Sequence, residues 1–172
     1  MRHSSDGVTI DHVAIAVLRR DGALVMVQQQ ATPQTEPYWV LPGGLVEAGE
    51  LVVDGLVREV REEAGVQVQE ITHLACCCQI DRPALNNQVV ALIFEIGHWH
   101  GTLGAQDPDA EVRAVELAPL DEAIHRLATN GGWLGMQEPL LAYLRGTARP
   151  GSAWFYREEA GKIGRASCRE RV

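Results

Sequence analysis

Residues 52 to 65 constrain this chain more than any other stretch. Val53, Leu56, Val57, Val60 and Ala64 recur at helical spacing, and Gly65 stops the run, so the spacing predicts an amphipathic helix ending in a glycine cap. The face opposite that apolar stripe carries Arg58, Glu59, Glu62 and Glu63. Three of these, Glu59, Glu62 and Glu63, stand at i, i+3 and i+4, where like charges repel by a few tenths of a kcal/mol per pair. A divalent cation removes that conflict. Carboxylates supply hard oxygen ligands suited to Mg²⁺ or Mn²⁺, ions that also take water and phosphate oxygens. Taken alone, the cluster reads as a solvated acidic face rather than a metal site, and what precedes the helix changes that reading. Leu51 and Val52 offer no side-chain N-cap. Gly55 in the helix interior costs about 0.5 to 1 kcal/mol relative to alanine, in exchange for room to pack on a sheet.

Around this helix the pattern is mostly extended. Ile10 to Leu18 and Ala23 to Gln29 form a hairpin about Asp21-Gly22, and a short strand at Tyr38 to Leu41 is broken by Pro42-Gly43-Gly44. Val66 to Val68, His73 to Ile80 and Gln88 to Gly97 read as strands, with Asp81-Arg82-Pro83 and Asn86-Asn87 marking a turn. Asp121 to Ala128 and Glu138 to Arg145 read as helices, the second with Pro139 in its first turn. This order suits an α+β fold, helices covering the faces of a mixed β-sheet.

The chain has 172 residues, the size of one domain, and a net charge of −8. The segment from Lys162 to Val172 resembles translated sequencing adapter, which makes 1–161 the expected single domain and 162–172 an expected non-native tail. Setting that tail aside removes Lys162, Arg165, Arg169 and Arg171 against Glu170, which takes the net charge to −11. So acidic a body repels a polyanionic backbone, arguing against nucleic acid as a partner. No apolar run reaches membrane-spanning length and no secretory signal is evident, so no membrane partner and a cytoplasmic location are expected. Cys76, Cys77 and Cys78 are consecutive and cannot converge on zinc, so they are read as small apolar strand residues. The His98-x-His100 spacing puts two rings on one strand face but points to no metal site by itself.

Gly44, Glu50, Arg58, Glu59, Val60, Glu62, Glu63, Gly65 and Val66 match every position of the pattern G-x5-E-x7-R-E-U-x-E-E-x-G-U, where U is bulky aliphatic. The fixed identities alone arise by chance on the order of once in 10⁸ start positions at average residue usage. This resembles the Nudix box, the signature of the Nudix hydrolases, and the resemblance extends loosely over residues 8 to 145. It implies a Nudix-type α/β/α sandwich with a mixed β-sheet, and hydrolysis of a nucleoside diphosphate linked to another group.

Matched position by position, the resemblance implies Glu59, Glu62 and Glu63 as metal ligands together with the Gly44 carbonyl, holding Mg²⁺ or Mn²⁺. Glu50 and Arg58 resemble the pair that braces the loop onto the helix. The general base is placed variously within the family, leaving Glu62, Glu63, Glu111 and Glu116 as catalytic candidates. Tyr38 and Trp39 are candidates for substrate contact. A proline some sixteen residues past the box is associated in this family with ADP-ribose, and Pro83 lies one position off. The expected substrate is therefore a small nucleotide, ADP-ribose or a related nucleotide sugar, with a MutT-type nucleoside triphosphate pyrophosphohydrolase as the alternative. A non-catalytic nucleotide-sensing module is the alternative of another class, against which stands the complete set of box carboxylates. A homodimer is compatible with the ADP-ribose reading.

Overall fold

The structure, a computed structural model, describes residues 7–30, 32–106, 111–129, 134–159 and 162–165. Two strands, β1 (Thr9–Arg20) and β2 (Ala23–Gln29), form the expected hairpin, with Asp21 at φ 50° and Gly22 at φ 80° in its turn. They are followed by β3 (Tyr38–Val40), β4 (Gly43–Leu45) and helix α1 (Val52–Ala64). Next come β5 (Gln67–Arg82), a 3-10 turn at Pro83–Leu85, β6 (Asn87–His100) and β7 (Val112–Pro119). Helices α2 (Leu120–Thr129) and α3 (Leu134–Leu144) precede β8 (Ser152–Glu159) and β9 (Lys162–Arg165).

The nine strands found among the described residues run β3-β2-β1-β6-β5-β8-β9, with β4 beside β1 and β7 beside β2. The sheet is mixed, because β1 with β6 and β5 with β8 are parallel and the other pairs antiparallel. Strand alternation sorts the core into two layers. On β2, Val25 and Val27 face α1 with Ala14, Ala16, Leu56 and Val60, whereas Leu24 and Met26 face α2 and α3 with Ala123, Leu127 and Leu140. Each fully buried Leu or Val contributes about 1.5 to 3 kcal/mol.

Several sequence expectations change. The buried face of α1 is Gly55, Leu56, Val60, Glu63 and Ala64, whereas Val53 and Val57 are 39% and 38% exposed. Glu63 thus lies within the packed face rather than opposite it. Gly55 packs against the preceding loop and not the sheet, since a Cβ there would stand 3.1 Å from Glu50 Oε2 and 3.4 Å from Val46. The two expected strands at 66–68 and 73–80 are one strand, β5, whose pairing with β6 shifts register repeatedly between Val68 and Cys76. Neither β7 nor β8 was expected from the pattern. Helix α3 begins at Leu134, so Pro139 is interior to it.

Cys76 and Cys78 are buried apolar strand residues with thiols that burial pushes up to about 12, and Cys77 is half-buried. Within the segment read as adapter, Lys162–Arg165 pairs antiparallel with β8, and Arg165 ion-pairs with Glu138. Residues 166–172, the segment 107–110 read from sequence as part of an acidic loop, and Trp133 lie outside the described residues. Among the described residues no helix is long and apolar enough to cross a membrane.

Candidate active site

Helix α1 starts with no side-chain cap at Leu51 and ends at Gly65, which adopts φ 74°. That glycine is required, because a Cβ on it would meet the Gly104 carbonyl oxygen at 2.1 Å. The loop after β6 then satisfies the free carbonyls of the last turn, Gly104 N–H donating to Ala64 O and Gln106 N–H to Glu62 O. The carboxylate face of α1 is in this way pinned at its C-terminal end.

At the other end, Arg58 spans helix and loop. Its Nε and Nη2 donate to the two oxygens of Glu50 at 2.8 and 3.0 Å, Nη2 also reaches Leu45 O at 3.0 Å, and Nη1 reaches Glu59 and Glu62 at 2.8 and 3.3 Å. Glu47 N–H donates to Glu50 as well. The fork geometry is specific to arginine. Arg58→Lys keeps the charge and loses the fork, and is expected to cost about 1.5 to 3 kcal/mol in denaturant unfolding. These bonds hold the Glu50 carboxyl down, to about 2. Its folded value lies below the ordinary one, so its stabilising contribution is complete above the ordinary carboxylate range and is lost as pH falls towards 2. Acid unfolding of Glu50→Gln is expected to lose that part of its pH dependence between about pH 4.5 and 2, which urea titrations at stepped pH would measure.

Glu63, 7% exposed, is held from the sheet side. Gly43 N–H donates to its Oε2 at 2.8 Å and the Gln29 amide donates to its Oε1. Gly44 stands directly against Glu59, where a Cβ would lie 2.6 Å from the carboxylate carbon. Burial pushes the Glu59 carboxyl up, opposed by its bond to Arg58. Together Gln29, Gly43, Gly44, Leu45, Glu47, Arg58, Glu59, Glu62, Glu63 and Glu111 line a cleft of about 640 Å³.

The cleft thus gathers most of the residues singled out in the sequence. Tyr38 lies beside it: burial raises its hydroxyl pKa, and the charges of Glu111 and Glu63 raise it further. Trp39, next along β3, points to the other side, where Arg126 lies 4.6 Å over its ring. Glu116 is on that same far side, opposite Met26 in the β2–β7 register and ion-paired with Arg126, which also holds Glu122. Glu116 is therefore turned away from the cleft that Glu111 lines. Pro83 is remote too. Its turn is tied to the Thr9 end of β1, about 16 Å of strand from Ala14, the residue paired with Gly44. Gln29 and the Gly43 N–H were missed, although Val25 and Val27 put Gln29 in an alternating row that faces α1.

The donor set suits a hard divalent cation. Five carboxylates, Glu47, Glu59, Glu62, Glu63 and Glu111, line the cleft against one guanidinium, and Gly44 leaves its backbone uncovered beside Glu59. Among the described residues, no three His, Cys, Asp or Glu side chains already stand as a converged ligand set. Glu59 and Glu62 turn to Arg58, and Glu63 turns to Gln29 and Gly43.

The family model for the NUDIX domain matches residues 9–136. The chain belongs to the Nudix family. Its sheet and helices form the α+β sandwich of Nudix structures, as in the solution structure of the Escherichia coli ORF135 protein. That match has a TM-score of 0.64 and 25% identity over 84% of this chain and 97% of that one. This Nudix chain is 29% identical over 117 residues to the CTP pyrophosphohydrolase of Escherichia coli (strain K12), covering 63% of this chain and 84% of that protein. It is also 29% identical over 109 residues to the ADP-ribose pyrophosphatase of Methanocaldococcus jannaschii, covering 62% of this chain and 63% of that protein.

Proposed function

We propose that this Nudix chain hydrolyses a phosphoric anhydride bond in a small nucleotide, using Mg²⁺ or Mn²⁺ held by Glu59, Glu62, Glu63 and the Gly44 carbonyl. The observation that carries this reading is the cleft itself, five carboxylates against one guanidinium beside a bare Gly44. A divalent cation there would offset the diphosphate charge and lower the pKa of the attacking water. The chain's own contribution is geometric. Arg58 braces the Glu50 loop and orients Glu59 and Glu62, while Gly43 and Gln29 orient Glu63. Glu111, the cleft carboxylate just before β7, is the candidate to accept the proton as water oxygen bonds to phosphorus and the bridging P–O bond breaks. Glu116, tied to Arg126 across the sheet, is the lesser candidate. Tyr38 supplies an aromatic face and a hydroxyl at the rim.

Two substrate classes are carried by observations. A (deoxy)nucleoside triphosphate is supported by the CTP pyrophosphohydrolase relative, of which this chain spans 84%, and by the distance of Pro83 from the cleft. ADP-ribose or a related nucleotide sugar is supported by the ADP-ribose pyrophosphatase relative. Incubation with Mg²⁺ and each substrate, with products identified by mass, separates them. Pyrophosphate plus a nucleoside monophosphate is the expected result for the first class, and AMP plus ribose 5-phosphate for the second. Binding of either nucleotide without turnover would overturn the enzymatic reading in favour of a sensing module.

A further inference from the structure

Among the described residues that line the cleft, Gln29 is the one uncharged polar side chain. It is placed there by the sheet. Val25 and Val27 pack beneath α1, and Gln29 is the next residue in the same alternating row, meeting the helix where its packed face turns from Val60 to Glu63. Its backbone is fixed on both sides, paired with Tyr38 on β3 and with Val112 on β7. The β2–β7 register shifts between Gln28 and Gln29, and Gln30 N–H donates to Glu111 O at 2.9 Å, so the irregularity brings the Glu111 end of β7 to the same spot.

We propose that Gln29 is a positioning residue whose amide sets the orientation of the Glu63 carboxylate for divalent-cation binding while leaving its charge intact. The inference rests on the reading of the cleft as a cation site. Each Glu63 oxygen receives one donor from a neutral group, Oε1 from Gln29 and Oε2 from Gly43 N–H. One lone pair of each oxygen is thereby engaged, and the carboxylate plane is fixed. Glu59 and Glu62 are held instead by the guanidinium of Arg58, which offsets charge as it orients. A neutral donor at Gln29 orients its ligand without itself offsetting that ligand's charge. An Asn side chain is one methylene too short to reach, and a Lys would cancel the charge it holds.

The test measures Mn²⁺ binding to the full chain without nucleotide, counting free Mn²⁺ by electron paramagnetic resonance, for the wild type, Gln29→Leu, Gln29→Asn and Gln29→Lys. Supporting residues around metal ligands typically contribute 10- to 100-fold in affinity. Gln29→Leu and Gln29→Asn are expected to weaken Mn²⁺ by about tenfold or more, and Gln29→Lys further. In Mg²⁺-dependent hydrolysis the Mg²⁺ concentration for half-maximal rate is expected to rise by a similar factor, whereas a general loss of packing lowers the rate alike at every Mg²⁺ concentration. Should Gln29→Leu fail to fold, Gln29→Asn, which keeps the amide and nearly the volume, carries the comparison. Wild-type affinity within about twofold in a folded variant would overturn the role of Gln29 alone. A wild type that binds no Mn²⁺ would overturn both this inference and the cation-site reading beneath it.

Discussion

Glu63→Gln is expected to lower kcat by about three orders of magnitude while leaving the fold intact. A cation-held charge at the reacting phosphate contributes several kcal/mol, and each 1.4 kcal/mol is tenfold in rate. The substitution keeps the size of the side chain but removes the charge and one acceptor. Glu63 is the most enclosed of the cleft carboxylates and takes its hydrogen bonds from Gln29 and the Gly43 N–H. An amide there faces two donors, and only its carbonyl oxygen can accept. Steady-state kinetics with Mg²⁺, beside a urea titration to confirm folding, checks the prediction. A variant with wild-type kcat would remove Glu63 from the reaction.

Gly43→Ala is expected to be the most damaging single-methyl change near the cleft. Gly43 sits at φ 148°, and a Cβ there would lie 2.3 Å from Ala14 O and 2.7 Å from Ile15 Cα. Neither neighbour can yield, because both are backbone of β1 and Gly43 is paired with Ile15 in the β1–β4 register. Separation of β4 from β1 would withdraw the N–H that holds Glu63 and carry Gly44 away from Glu59. The cost combines an unfavourable backbone conformation with lost strand pairing, about 3 kcal/mol or more. Denaturant unfolding measures it, and hydrolysis is expected to fall in step even where the chain stays folded. The same substitution at Gly49, where a Cβ would meet nothing within 4 Å, is expected to cost less, its strain being conformational alone.

What could be read from the sequence and what could not divide along physical lines. The carboxylate cluster was legible because helical spacing is local: Glu59, Glu62 and Glu63 are neighbours whatever the helix packs against. The direction in which the helix faces was not legible, because it depends on partners distant in the chain. Periodicity gave the inner stripe to Val53, Leu56, Val57, Val60 and Ala64; Leu56, Val60 and Ala64 are buried, but Val53 and Val57 are exposed, while Gly55 is covered by the Glu50 loop and Glu63, held by Gln29, is buried. Glu111 and Glu116 were equivalent in sequence, yet Glu111 lines the cleft while Glu116, opposite Met26 in the β2–β7 register, is turned to Arg126, a distinction set by partners distant in the chain. β8 was missed because alternation of Trp154 and Tyr156 with Phe155 and charged residues looks like a polar surface segment until β5 is beside it. Arg58 donates to both Glu50 oxygens across the junction of loop and helix, a contact between residues close enough in the chain to be singled out together.

The most direct measurement is hydrolysis in ¹⁸O-labelled water with Mg²⁺, with CTP and ADP-ribose as substrates, followed by mass analysis of both products. The account predicts turnover that requires the divalent cation, with a single ¹⁸O incorporated into one phosphate-bearing product, as water attack on phosphorus demands. Turnover that persists in excess chelator, or label in the sugar instead of a phosphate, would contradict it.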